Sequence, residues 1–570
     1  MILVPQDKID ACTARGWWGT QTLWDLFQRN LAAHPEHEAV VDAPNRQLHM
    51  EGAPRRLTYA QLADEALRMA SVLSGAGLAK DDVIAVQLPN GVEQFAVYLA
   101  CARLGIIVTP VPVQYREHEL AYILNHVSAR AIVTVTQIGK HAHADMALAL
   151  RQQTPSLAHV FAYGSSPPTG ARALERLLRE PADAARVEQA TQVAAVTAND
   201  VFTICWTSGT EARPKGVPRS HNEWLIIAPS IIEAAGLAPG SRLLNPFPFV
   251  NMAGLSTNFA AWLQLGGTVV QHHPFDLSVF LQQLREERID YTVAPPAVLN
   301  MLLQNPPLLE GIDFQRLRSI GSGSAPLSDW MVETFHRRFG VQIVNYFGSN
   351  EGAALSGNAT DIPDPTQRAA FFPRAGVKRF TWSVSTAQKI ESRLVDPASG
   401  EIIEQGGVPG ELRFRGPTIF SRYWNAPELT RGAFDADGFY KTGDLFEIAG
   451  ENQQFYRYVG RSKDVVIRGG MNISPEELEG LIVGHPKVRE VAVVGYPDGL
   501  LGERLCACVV ARADTAPTLP ELVDYLREQH RIATFKLPER LLVLDALPRN
   551  PVGKIVKHAL RDLLASKEAA

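Results

Sequence analysis

"TSGTEARPKG", residues Thr207 to Gly216, follows the apolar run Val201-Phe202-Thr203-Ile204-Cys205-Trp206. A strand-like run opening onto hydroxyls, glycines and a lysine has the outline of a phosphate-holding loop. It is not a Walker A loop, which needs a hydroxyl directly after its lysine to ligate magnesium at the mouth of a helix. Here Lys215 is followed by Gly216. The stretch instead gathers Thr207, Ser208 and Thr210 around Gly209 and sets one ammonium behind Pro214. It reads as a flexible, hydroxyl-rich loop with a cation at its end.

The run before this loop is one of several. From Leu57 to about Val113, "LTYAQLADEALRMASVLSGAGL" has helical periodicity ending in glycine, "DDVIAVQLP" reads as a short buried strand, and "VEQFAVYLACARLGIIVTPV" reads as helix, glycine, strand. Such alternation implies crossover units and a parallel sheet, and it recurs at Ala131 to Val135 and at Ile289 to Pro296. Beyond Gly410 the texture changes to short strands and turns, a meander or small barrel. A compact α+β segment follows, with a helix signal at Ser474 to Pro486: a capping Ser, Pro at the first helical position and an acidic first turn. The expected fold class is therefore α/β, with two helix-flanked sheets and a small β-barrel in a large domain, residues 1–460. A small α+β domain, residues 461–570, completes the chain.

Composition narrows the function. At 570 residues the chain suggests two to four domains. A formal net charge of -5 with interspersed signs leaves no basic stripe, so no nucleic-acid partner is expected. Five cysteines without a CxxC pair argue against a disulfide framework and for a reducing, cytoplasmic setting. The N-terminus lacks the basic and apolar regions of a signal peptide. The stretch Leu243 to Phe275 carries no Asp, Glu, Lys or Arg and is long enough to cover a bilayer. Its prolines, asparagines and histidines point to buried interior beside a pocket, so stable membrane insertion is not expected.

Further motifs follow in order: "GSGSAPLS" (Gly321 to Ser328), "NYFGSNEG" (Asn345 to Gly352), "GELRFRGP" (Gly410 to Pro417), "YKTGDL" (Tyr440 to Leu445), "GRSKDVVIRGGMNISPEELE" (Gly460 to Glu479) and "NPVGKIVK" (Asn550 to Lys557). Together with the Thr207 loop they make the chain similar to the adenylate-forming superfamily of acyl- and aryl-CoA synthetases, peptide-synthetase adenylation domains and luciferases. The resemblance spans roughly Leu57 to Lys557.

The resemblance implies two half-reactions: a carboxylate and ATP give an acyl-adenylate and pyrophosphate, and a thiol then attacks the adenylate. Such a site must hold a triphosphate, screen its charge and stabilise the α-phosphorus. Lys215, Thr207, Ser208, Gly209 and Thr210 suit the departing phosphates. Glu351 stands where the family carries its acidic magnesium ligand, and a hard cation wants such an oxygen. Phe347 presents a face for adenine, while Gly323, Ser324, Ala325, Pro326 and Gly348 let backbone approach the nucleotide. Asp444 can accept from both ribose hydroxyls and Arg461 can donate to the same sugar. Lys554 is implied as the catalytic ammonium on the carboxylate and α-phosphate. The hinge falls at Lys463, about which the small domain turns to bring in Gly469 and Gly470, whose lack of side chains lets a pantetheine arm pass.

Three departures stand out. Glu211 and Ala212 replace a usual Thr and Gly, and Ala212 would dislike a positive φ. Asn350 replaces a Thr that touches the α-phosphate, a role its amide could keep. Asn251 stands where relatives commonly carry His beside the acyl group. The acyl pocket is assigned to Phe249, Asn251, Gly254, Gly321 and Tyr346, with Gly254 leaving room in it.

The resulting reading is a CoA ligase for an aromatic, alicyclic or medium-chain acid, using ATP, Mg2+ and coenzyme A. The overall texture is most similar to bacterial ligases for such acids. A carrier-protein phosphopantetheine as acceptor, a luciferase-like oxygenase and a catalytically silent binding protein are the competing readings. A lysine acetyltransferase acting on Lys554 and a second copy of the chain are the protein partners this reading admits.

Overall fold

The computed structural model describes residues 1–207, 214–272, 274–324, 326–461, 464, 466–468, 471–498, 501–512, 515–530, 532, 534–550 and 553–568, without the side chains of 467, 471, 472, 535, 567 and 568. Ser208, Gly209, Thr210, Glu211, Ala212, Ala325, Lys463, Gly469 and Gly470, all named above, lie outside the described residues.

Four sheets organise the described chain. A seven-stranded sheet runs in the order Arg172–Ala173, His159–Tyr163, Ala131–Val135, Val83–Val86, Ile107–Pro110, Val201–Trp206, Gly216–Ser220. All its pairs are parallel except the last. An eight-stranded sheet, parallel within and antiparallel at both edges, includes Arg242–Asn245, Tyr291–Val293, Ser319–Gly323 and Gln342–Gly348 as neighbours. The two sheets are the ones the alternating pattern implies, because parallel neighbours need helical crossovers that cover both faces.

Local sequence accounts for the helices between them. Helix Tyr59–Gly75 opens with a reciprocal capping box between Thr58 and Gln61. Helix Val92–Leu104 ends at Gly105, whose φ of 70° supplies the left-handed stop. Nearly every residue of Val92–Leu104 is buried, so it is a core helix, and Phe95 and Tyr98 on it meet Phe249, Phe259, Trp262 and Phe202 in one aromatic cluster. The uncharged stretch after Leu243 therefore folds as strand, short helical turns and strand. Among the described residues no helix is long and apolar enough to cross a membrane.

The expected small barrel is a six-stranded antiparallel meander in the order Phe371–Pro373, Phe455–Arg461, Tyr440–Ala449, Gly410–Arg415, Glu391–Val395, Ile402–Ile403. The next strand, Val466–Arg468, belongs to the last sheet, with Met471–Ile473, Gly502–Ala511, Val488–Asp498 and Arg540–Val543. Helix Pro475–Ile482 begins as its sequence signals, with Ser474 accepting from the Glu477 amide and Pro475 at the first position. The five cysteines are buried thiols without disulfides.

Candidate active site

The phosphate-loop motif connects two antiparallel strands, Val201–Trp206 and Gly216–Ser220. Its ends are locked together: the Thr207 amide donates to the Lys215 carbonyl at 3.0 Å, and the Lys215 amide donates to the Thr207 hydroxyl at 3.1 Å. Sheet geometry thus delivers Lys215 to the mouth of the loop.

Glu351 leaves the end of strand Gln342–Gly348 in a tight turn closed by Ser349 and Ala353. Gly352 in this turn has φ of 94°, and a Cβ there would lie 1.8 Å from the Thr418 carbonyl oxygen, so only glycine fits. Glu351 is buried, its backbone carbonyl accepts from the Phe420 amide at 2.8 Å, and its Oε1 accepts from the Tyr423 hydroxyl at 2.9 Å. Behind the turn, fully buried Arg219 donates to the carbonyls of Glu223 (2.7 Å), Thr418 (3.0 Å) and Asn350 (3.2 Å). Burial pushes the Arg219 pKa down, against the pull of Glu223 and Glu351.

Asn350 does something other than wait for a phosphate. Its Nδ2 donates to the Trp206 carbonyl at 2.9 Å and its Oδ1 accepts from the Met252 amide at 2.8 Å. It thereby joins the strand that launches the phosphate loop to the first turn on the acyl side. The side chain thus clamps two backbones together, using one of its amide's two N–H groups.

On the meander, strand register sets Asp444 directly opposite Arg461, and their side chains pair at 3.0 Å. Asp444 is buried, which raises its pKa to about 6 against the opposing pull of Arg461 and Lys554. Lys554 reaches this place from a tight turn: Gly553, with φ of 83°, donates to the Asn550 carbonyl, and the Lys554 amide donates to Asn550 Oδ1 at 2.9 Å. Lys554 is exposed to solvent, and its pKa is lowered, by the protein atoms crowding its ammonium more than by any charge. Arg461 pushes the same way, and Asp444 and Glu351 oppose it. Lys554, Asp444, Arg461 and Glu351, spread over the C-terminal half of the sequence, thus share one electrostatic neighbourhood.

Phe347 is half-buried, with the ring of Phe446 edge-on at 5.0 Å, as part of the meander's aromatic cluster. Ser324 has φ of 68°, a left-handed conformation seldom taken by non-glycine residues, at the exposed exit of strand Ser319–Gly323 beside exposed Pro326. Gly323 is there for space, since a Cβ would lie 2.2 Å from the Tyr346 carbonyl oxygen. Exposed Gly348 ends the neighbouring strand.

The acyl side departs from expectation in three ways. Phe249 is sealed in the aromatic core with Phe95 and Phe259 and offers no free face for a substrate. The Asn251 side chain caps its own helical turn, accepting from the Gly254 amide at 3.3 Å. Gly254 leaves no room at all, because a Cβ there would lie 2.2 Å from the Pro248 carbonyl oxygen; it is glycine because two backbones touch. Gly321 and Tyr346 do come together: a Cβ at Gly321 would meet Tyr291 Oη at 2.4 Å and the Tyr346 ring at 2.7 Å.

This geometry has relatives. An AMP-binding enzyme model matches residues 27–424, and the model of the AMP-binding enzyme C-terminal domain matches residues 477–554. The chain belongs to the AMP-binding enzyme family. A medium-chain fatty-acid–CoA ligase of Escherichia coli is 30% identical over 555 residues, covering 96% of this chain and 91% of the relative. An indoleacetate–CoA ligase of Aromatoleum aromaticum is 32% identical over 520 residues, 90% and 94% of the two chains. The crystal structure of ATP-bound MatB from Rhodopseudomonas palustris superposes with a TM-score of 0.77 at 26% identity, covering 95% of this chain and 99% of that one. The chain is an acyl/aryl-CoA synthetase, an acid–thiol ligase working through an adenylate. ATP, Mg2+ and CoA are the standard requirements of such AMP-binding enzymes. The donor set fits them: a buried carboxylate for a hard cation, a lysine and a threonine at the loop mouth for phosphate, and an acid–arginine pair for a sugar.

Tyr423, Tyr440 and Arg219 were not assigned a role by sequence reasoning. Tyr440 lies inside a quoted motif, whereas Tyr423 in "SRYWN" and Arg219 in "GVPRSHN" carry no spacing signal.

Proposed function

We propose that this AMP-binding enzyme converts an aromatic carboxylic acid to its CoA thioester, releasing AMP and pyrophosphate, within the wider range of alicyclic and medium-chain acids. The observation that carries the reading is the neighbourhood of Lys554, Asp444, Arg461 and Glu351, which joins C-terminal unit, meander and eight-stranded sheet around one site. In this reading Glu351 holds Mg2+, and Lys215 with Thr207 takes the outer phosphates. Asp444 and Arg461 take the ribose, with Phe347 and the Gly323–Pro326 turn beside adenine. Magnesium, once bound, screens the triphosphate; the ammonium of Lys554 then stabilises charge gathering between carboxylate and α-phosphate.

The aromatic preference is supported by the likeness to an indoleacetate–CoA ligase. Gly321 itself offers no space for the acid, since a Cβ there would meet Tyr291 at 2.4 Å, Tyr346 at 2.7 Å and Val293 at 2.9 Å. After adenylation, residues 461–570 turn about Lys463, withdrawing Lys554 and bringing the Gly469–Gly470 segment to guide the pantetheine arm. The acceptor is CoA, the setting cytoplasmic, and Lys554 is accessible to a lysine acetyltransferase; a homodimer is compatible with this reading. A panel of aromatic, alicyclic and straight-chain acids assayed for pyrophosphate release, with CoA and then a phosphopantetheinyl carrier as acceptor, tests it. Preference for straight-chain acids, or turnover only with the carrier, would overturn the corresponding half.

A further inference from the structure

We propose that Tyr423 is a positioning residue that presents Glu351 to the metal and Lys215 to the phosphates through opposite parts of one side chain. The inference rests on the reading of Glu351 as magnesium ligand and Lys215 as phosphate cation. The Tyr423 hydroxyl donates to Glu351 Oε1 at 2.9 Å, and Lys215 Nζ stands over its ring, 5.1 Å from the centroid. Tyr423 is almost wholly buried, and its backbone is fixed: its amide donates to Thr430 Oγ1 at 3.0 Å, and the next amide, of Trp424, donates to the Gly216 carbonyl at 2.8 Å. The second of these bonds ties the tyrosine's loop to the strand that follows the phosphate loop. The ring leans on Phe420 at 4.7 Å, and Phe420 in turn meets the ring of Tyr440 edge-on at 5.4 Å.

The chemistry of a phenol suits this place better than that of any charged residue. A single O–H donated to one carboxylate oxygen fixes the plane of Glu351 and leaves its other lone pairs for a hard cation, the way outer-shell partners orient metal ligands. The negative face of the ring holds an ammonium in place without itself neutralising it. A carboxylate in the same position would repel Glu351 and consume the charge of Lys215. A lysine or arginine would do the reverse.

Binding without turnover separates this role from packing. Calorimetric titration with ATP, with and without Mg2+ and in the absence of acid, is applied to the wild type, Glu351→Gln, Tyr423→Phe and Tyr423→Leu, with thermal melts confirming that each is folded. Tyr423→Phe keeps the ring under Lys215 and loses only the hydroxyl. It should weaken binding of Mg·ATP about tenfold and leave metal-free ATP binding unchanged, whereas Tyr423→Leu should weaken both. Wild-type Mg·ATP affinity in Tyr423→Phe, while Glu351→Gln loses the metal's contribution, would overturn the inference and leave the reading of Glu351 standing. Undiminished metal dependence in Glu351→Gln would overturn that reading itself, and unchanged metal-free binding in Tyr423→Leu would overturn the part concerning Lys215.

Discussion

Asn350 donates to the backbone carbonyl of Trp206 at 2.9 Å across 144 residues of sequence. With the Met252 amide on its Oδ1, one side chain sets the distance between phosphate loop and acyl side, the two places whose contents must react. Asn350→Ala should leave two backbone partners unpaired, at about 1–3 kcal/mol for each that cannot reach water. The clamp should show in kinetics as well: KM for the acid and for ATP should both rise, and Asn350→Gln, which restores the amide with a longer reach, should recover only part. A melting temperature and KM values at wild-type levels in Asn350→Ala would show that the clamp does nothing.

Asp444 gives the site a defined pH response. Its ordinary value of 3.8 is raised to about 6, burial being the largest cause, while Arg461 and Lys554 oppose the rise and Glu351 adds to it. As pH falls through about 6 the carboxylate takes up a proton and, in its proposed role, loses the power to accept from both ribose hydroxyls. The kcat/KM for ATP should therefore fall along an acid limb near pH 6, and Asp444→Asn should be less active but without that limb. Stability runs the other way. The folded state holds this proton more tightly than the unfolded chain, so Asp444's contribution is most favourable below about pH 4 and is lost as pH rises through about 6. Denaturant titrations of wild type and Asp444→Asn across this window measure the difference.

Gly254 should respond to substitution as a backbone contact and not as a pocket. A Cβ placed 2.2 Å from the Pro248 carbonyl oxygen forces the backbone apart, and overpacking of this kind costs about 1–3 kcal/mol. Gly254→Ala should lower the melting temperature and reduce kcat/KM for large and small acids by the same factor. A changed ratio between the acids with unchanged stability would return Gly254 to the pocket.

What the sequence disclosed and what it hid follow one physical line. Features written in local spacing were legible: the helical periodicity after Leu57, the glycine stop at Gly105, Ser474 before Pro475, and the strand run into Thr207. Ordered motifs also named Asp444, Arg461 and Lys554, though only strand register and the Asn550 turn show why they meet. The acyl side was misread because an aromatic pocket and an aromatic core have the same composition; Phe249 and Phe259 went to the core through Phe95 and Trp262. Tyr423 and Arg219 had no local signature, since each acts on partners distant in sequence. Ser324 holds a conformation that sequence reasoning would give to a glycine.

The central claim, that this site adenylates a carboxylate with Lys554 as the charge-stabilising group, is tested most directly by separating the half-reactions of Lys554→Ala. Acid-dependent pyrophosphate release should fall by about 100-fold or more, as when a transition-state charge partner is removed. Conversion of a supplied acyl-adenylate and CoA to thioester should stay near the wild-type rate, because the proposed domain rotation has by then swung Lys554 away. Equal loss in both steps, or undiminished pyrophosphate release, would contradict the account.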